Sequence, residues 1–192
     1  LSRTLANQQL VKADGAAVLA VIADYARSWS LLQAYDEQSL SGQTGQQSGM
    51  RTLHLDEVLS AVAQLKAALI AKGEATALFG QLRGDGLASS IATIEQGFGD
   101  ELFYPNVASR AAHLLYFVIK NHPFSDGNKR SGAFLFVDFL ARNGRLVRPG
   151  EPVINDVGLA ALALLVAESD ARNKEVMIRL IENMLAVPDS KE

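Results

Sequence analysis

The chain has no cysteine, only three histidines and five prolines among its 192 residues. Without a thiol there is no disulfide, no thiolate metal site and no cysteine nucleophile. Positive charge is not in excess either: the net charge is −3 and the isoelectric point about 5.7. No basic field draws such a chain onto phosphate backbones, and no nucleic-acid partner is expected from this segment. The longest apolar stretches, such as Gly158 to Ala167, are too short to cross a bilayer and read as buried helix. The N-terminus lacks the basic, then apolar, then small-residue order of a secretory leader. Together with the missing cysteine this predicts a cytoplasmic location and no membrane partner. The chain opens on Leu1 rather than Met, as an excised piece of a longer protein would.

What is present is an ordinary globular balance of 48% apolar and 20% charged residues. A helix is expected over Gly15 to Glu37, where Leu19, Ile22, Ala26, Trp29 and Leu32 recur near the 3.6-residue period. From Ser39 to Gly49 the chain turns to Gly, Ser and Gln, a composition that reads as linker. Leu55 to Lys72 carries an apolar stripe of Val58, Leu59, Val62, Leu65 and Leu69, with Gly73 placed to take the left-handed position after the helix. Gly86 to Glu95 is a further helix. Gln96 to Pro105 breaks the pattern and, with Leu102, Phe103 and Tyr104, predicts an irregular hairpin or flap. Asn106 caps a helix to Lys120, Asn128 to Arg142 forms the next with Gly144 ending it, Asn155 or Asp156 caps another, and Asp170 caps the last. In that last helix Met177, Leu180, Ile181, Met184 and Leu185 form the apolar face. The class is all-α.

Between two strongly apolar helices lies His122-Pro123-Phe124-Ser125-Asp126-Gly127-Asn128-Lys129-Arg130. Gly127 removes a side chain where backbone must come close to a ligand. The amides of Asn128, Lys129 and Arg130 open a helix, and a helix N-terminus attracts phosphate. Lys129 and Arg130 add cations, the Arg with a fork suited to phosphate oxygens. Asp126 is a hard oxygen ligand suited to magnesium. His122 belongs to the residue type that exchanges protons near neutral pH, which suits a general base. An anion cradle, a metal carboxylate and a base within nine residues describe a phosphoryl-type transfer site.

These nine residues resemble the signature of the Fic/Doc family, His-Pro-Phe-x-Asp/Glu-Gly-Asn-x-Arg. The similarity continues into Ala111 to Lys120 before the loop and Gly132 to Leu140 after it, and more weakly over Leu53 to Leu185. The resemblance implies a helical bundle with a short β-hairpin flap. Its expected division is an N-terminal helix and linker over 1–52, a catalytic domain over 53–187 and a tail over 188–192. It implies a transferase that moves AMP from ATP to a hydroxyl of a target protein, with ATP as donor and Mg2+ as cofactor. By position it makes His122 the general base, Asp126 the magnesium ligand, and Gly127, Asn128 and Arg130 phosphate-site residues. Phe124, the core anchor of the loop, and Lys129 complete the nucleotide site. The target protein would dock at the flap near Gly97 to Pro105. A toxin–antitoxin setting and a homodimer are both compatible with the family.

Two departures bear on the activity. Many AMP-transferring members have Gly before the motif Arg and a further Arg three positions on, whereas this chain has Lys129 and Ala133. Asn128-Lys129-Arg130 resembles instead the death-on-curing branch, which transfers a terminal phosphate. Gly127 agrees with the AMP-transferring pattern rather than that branch's Ala, and the expectation leans to AMP transfer. A non-catalytic nucleotide-binding module is the reading from another class. Elsewhere, His113 is expected to be a satisfied buried histidine, and His54 a surface or helix lead-in residue. Arg83-Gly84-Asp85 is a plain turn, and Gly80 to Gly86 lacks a P-loop ending. Ile178 to Asn183 partly resembles the family's inhibitory helix but has Ile for Ser or Thr, so Glu182 is expected to be solvated.

Overall fold

The computed structural model describes residues 26–42, 45–148 and 151–186. The chain divides between Leu40 and Ser41 into two units. Before the division, α1 covers Ala26–Asp36. Its Trp29 and Leu32 are exposed. The expected start of this helix at Gly15, with Leu19 and Ile22, lies outside the described residues.

The second unit is helical. α2 spans Leu55–Ala71 and buries Val58, Ala61 and Val62. It ends as its glycine predicts. Gly73 has φ 73, its N–H donates to the Ile70 carbonyl at 2.9 Å, and the Glu74 N–H reaches the Leu69 carbonyl at 2.8 Å. This is the paired closure of a left-handed helix end. α3 covers Gly86–Ile94. β1 (Gly97–Phe98) and β2 (Glu101–Leu102) then pair antiparallel as the expected hairpin.

α4, Val107–Asn121, is the centre of the fold, with Ala111, Ala112, Leu114, Leu115 and Val118 all without solvent contact. Asn106 caps it by accepting from the Ser109 N–H at 2.8 Å. Its main partner is α5, Asn128–Arg142. A Cβ on Gly132 would approach Ile119 Cγ1 at 2.9 Å, so the missing side chain lets these two helices come close.

A second small hairpin, β3 (Val147–Arg148) with β4 (Glu151–Pro152), follows and was not expected. Two-residue strands containing a Pro carry no alternating signal that patterning could detect. α6, Asp156–Glu168, is capped by Asn155, and Lys120 donates to its terminal carbonyls of Ala167 and Ser169 at 3.1 and 2.6 Å. A 3₁₀ turn over Ala171–Asn173 leads into α7, Lys174–Leu185. α7, α3 and α6 all pack on α4.

One expectation is corrected on α7. The buried face is Met177, Ile178, Ile181 and Glu182, so Glu182 is not solvated but 5% exposed. Glu182 has a partner, and its Oε2 lies 3.7 Å from where a Cβ on Gly42 would sit. Docking turns the helix away from the face that apolar spacing selects.

Candidate functional site

α4 stops at Asn121 because His122 turns into the left-handed region, φ 47 and ψ 56, and Pro123 cannot continue a helix. A non-glycine residue held there costs about 1–3 kcal/mol and persists only where its surroundings fix it. Here they do. Pro123 and Phe124 are buried, the latter completely. The Asn128 side chain clamps Phe124 at both ends: its Oδ1 accepts from the Phe124 N–H at 2.9 Å and its Nδ2 donates to the Phe124 carbonyl at 2.9 Å. The buried anchor and the clamp leave the His122 side chain exposed at the head of the loop.

α5 begins at Asn128 with Gly127 as its N-cap, and Gly127 offers no side chain to the first turn. The opening N–H groups of the helix are therefore available to an anion, at the positive end of the helix dipole. Since the Asn128 amide is spent on Phe124, what Asn128 presents to a phosphate is its backbone N–H. Beside this cradle, Asp126 Oδ1 accepts from the Gly127 N–H at 2.7 Å, and Oδ2 stands 3.8 Å from Arg130 Nη2, both side chains about half exposed. Lys129 is exposed on the same first turn.

A second segment braces the loop, and sequence reading missed it. The strap Phe79 to Arg83 runs alongside Pro123 to Asp126 and exchanges backbone hydrogen bonds with it. Gly80 N–H donates to the Asp126 carbonyl at 3.1 Å, Ser125 N–H to Gln81 at 2.8 Å, and Arg83 N–H to Pro123 at 2.8 Å. Phe79 is fully buried against the loop. Gly127 has φ 81, and a Cβ on it would fall within the Phe79 ring. The glycine is thus required by its backbone angle and by the packed ring, before any ligand is considered. No helical or alternating period announces the strap; its only sign is an aromatic beside a glycine.

The flap is built differently. Gly97 pairs with Leu102 and Phe98 with Glu101, while Phe98 is 85% and Phe103 60% exposed. Both ends of the hairpin meet one guanidinium on α4. Arg110 Nε donates to the Tyr104 carbonyl at 3.0 Å and Nη1 to Glu95 Oε1 at 2.6 Å. The same Glu95 oxygen accepts from the Leu53 N–H at 2.9 Å. Tyr104 lies on His113, ring centroids 3.8 Å apart.

The other histidines stand outside the loop. His113 is buried, its Nδ1 2.8 Å from the Ser109 carbonyl, and burial lowers its pKa to about 4 although that hydrogen bond acts the other way. It is the satisfied core histidine expected. His54 is the exposed N-cap position of α2. A cavity of about 300 Å³ opens at the far end of α4, lined by Asn106, Arg145, Arg148 and Leu185, and includes no motif residue. Among the described residues no three His, Asp or Glu side chains gather as a metal cage. Magnesium that accompanies nucleotides is held by one or two carboxylates, with the rest of its shell from phosphates and water. Asp126, half exposed beside the cradle, is the carboxylate so placed.

An uncapped helix start, an exposed His on a left-handed turn and a carboxylate between them thus stand on one loop. Residues 53–140 match the Fic/DOC family, and this match supports a Fic/Doc domain there. Members are typically transferases, and a Fic-type transferase of that general kind is what the domain supports. No curated protein and no solved structure matches the chain. Among the described residues no helix is long and apolar enough to cross a membrane.

Proposed function

We propose that this chain transfers AMP from ATP to a hydroxyl side chain of a target protein. The observation that carries the proposal is the open start of α5, with the Asp126 carboxylate beside it and His122 exposed at the other end of the same loop. In this reading His122 accepts the proton of the incoming hydroxyl, and that oxygen forms a bond to the α-phosphorus. The bond from the α-phosphorus to the bridging oxygen breaks, and pyrophosphate leaves. The N–H groups of Asn128, Lys129 and Arg130 hold the phosphate oxygens, and Arg130 and Lys129 offset their charge. Asp126 would hold a magnesium ion, which when bound neutralises phosphate charge. The target's backbone lies along the flap between Gly97 and Pro105.

A second reading, transfer of the terminal phosphate, is favoured by one specific observation. The Phe79 ring accounts for Gly127, so that residue no longer separates the AMP-transferring pattern from the phosphate-transferring one. Lys129 beside Arg130 and the absence of a cation at Ala133 then weigh toward a reversed nucleotide.

Parallel reactions with α-labelled and γ-labelled ATP, magnesium and a cell lysate test the proposal. AMP transfer leaves only the α-label on protein. A γ-only result replaces it with phosphate transfer, and ATP binding without either label makes the domain a binding module. In the active reaction His122→Ala abolishes labelling with ATP affinity nearly intact, while Asp126→Ala weakens the magnesium-dependent part of ATP binding.

A further inference from the structure

Phe79 lies outside the nine-residue loop, yet two residues of that loop are arranged around its ring. One is Gly127, whose missing side chain makes room for it. The other is Arg130, whose Cζ sits 4.7 Å from the ring centroid. The same guanidinium donates through Nη1 to the Glu74 carbonyl at 2.8 Å, while Nη2 lies 3.8 Å from Asp126. Three fixed groups therefore hold one long side chain that is otherwise half exposed: the ring below, a carbonyl at one edge, a carboxylate near the other. The strap supplies the first, and the segment that leads into it from α2 supplies the second. That leading segment is tied to α2 by a hydrogen bond from Lys66 Nζ to the Ala77 carbonyl, and the strap is tied to the loop by the three backbone bonds between Gly80 and Arg83 and their partners.

An Arg carries five N–H donors in a planar fork. With one donor on Glu74, others remain for a phosphate, and their direction is set by whatever fixes the guanidinium plane. A buried aromatic under a cation holds it through ring electrostatics as well as contact. We infer that Phe79 is a positioning residue: it holds the Arg130 guanidinium for a nucleotide phosphate at the start of α5. The inference rests on the reading of Arg130 as a phosphate-site residue. The same ring makes glycine obligatory at position 127, so strap and motif form one unit in which neither can change alone.

Phe79→Leu keeps an apolar side chain and removes the ring face; Phe79→Met serves where the leucine variant does not fold. ATP affinity in the presence of magnesium and melting temperature are measured for Phe79→Leu, Arg130→Gln and the double variant. A positioning role predicts that Phe79→Leu weakens ATP binding roughly twofold to fivefold, the range of a partly exposed cation–π contact. It also predicts no further weakening by Phe79→Leu once Arg130 is Gln. The drop in melting temperature, which follows from core packing, is the same in both backgrounds. An equal loss of ATP affinity in both backgrounds, or none in either, overturns the role. A separate readout needs no nucleotide. The Arg130 Nε–H resonance is shifted by the ring current of Phe79 and moves in Phe79→Leu; an unmoved resonance overturns the contact itself. If the wild-type protein binds no ATP, the nucleotide reading falls, and the resonance still decides whether Phe79 holds Arg130.

Discussion

The motif loop and the flap flank the same proposed chemistry and are held in opposite ways. The loop has an anchor with no solvent contact, a side-chain clamp on that anchor, a strap bonded along its backbone and a ring locked against its glycine. The flap has two-residue strands, two exposed aromatics and one buried guanidinium at its base. A group transfer needs its reacting phosphate fixed to a fraction of an ångström, since misplacement by about 1 Å costs on the order of 10²-fold in rate. A protein target must instead be admitted, aligned and released. Under the proposed function, the contrast places rigidity on the donor side and accessibility on the acceptor side.

The strongest test of the loop's rigidity is Phe124→Ala. Deleting a fully buried Phe costs about 3–5 kcal/mol, and here it also leaves the Asn128 clamp without a fixed backbone. The expected outcome is a large fall in melting temperature with loss of ATP binding at temperatures where the fold survives. An unchanged melting temperature would show that the loop is not anchored through Phe124.

Next in size is an acid effect on the flap side. His113 carries the flap's Tyr104 on its ring, and its pKa is lowered from 6.5 to about 4, chiefly by burial. A folded-state pKa below the unfolded one means that the unfolded chain takes up the proton first. Stability from this residue is therefore complete above pH 6.5 and is lost as pH falls toward 4, by about 3 kcal/mol at full extent. Denaturation followed between pH 7 and 4 should show that decline, and His113→Asn should flatten it. A decline of equal steepness in the variant would assign the acid sensitivity to other groups.

Asn128→Ala comes third. It leaves the N–H and carbonyl of Phe124 without their partner, and unsatisfied groups of this kind cost about 1–3 kcal/mol when buried, less here where the site is part-exposed. ATP affinity should fall with it, because the loop that carries Asp126 loses its clamp. Retained affinity at a lower melting temperature would confine Asn128 to the fold.

How far these regions were legible in the sequence follows from what kind of interaction builds each. The loop's residues and the helix start at Asn128 were readable, because caps, breakers and a charged cluster are local signals. The hairpin between α3 and α4 was readable as a break in helical period. The strap was not, since Phe79 lies 47 residues before Asp126 and its segment meets the loop through a few backbone hydrogen bonds without forming a regular strand. Nor was the buried side of α7, where Ile178 and Glu182 displace Leu180 from the face that spacing selects. The reason read from the sequence for glycine at position 127 was incomplete. The residue type was attributed to a ligand's approach, and the packed ring already demands it.

The smallest expected effect falls on the flap tip and bears most directly on the contrast between the two regions. Phe98 is 85% exposed and belongs to a two-residue strand. Its ring has little burial to lose, so Phe98→Ser should change stability by no more than about 0.5 kcal/mol, as for surface positions generally. It also lies outside the loop and the strap, so ATP affinity and the transfer of label to water or to a small hydroxyl compound should stay as in the wild type. An exposed aromatic on an otherwise bare hairpin is nonetheless the kind of contact that a docking peptide covers. Removing it should raise the KM for a protein target severalfold while kcat at saturation holds, since the interaction is made equally before and during reaction. Steady-state labelling of an identified target, compared with ATP titration of the same variant, separates the two constants. An unchanged KM would take the flap tip out of target recognition. A loss of ATP affinity would show that the flap and the loop are not independent, and the division between a rigid donor side and an accessible acceptor side would fail.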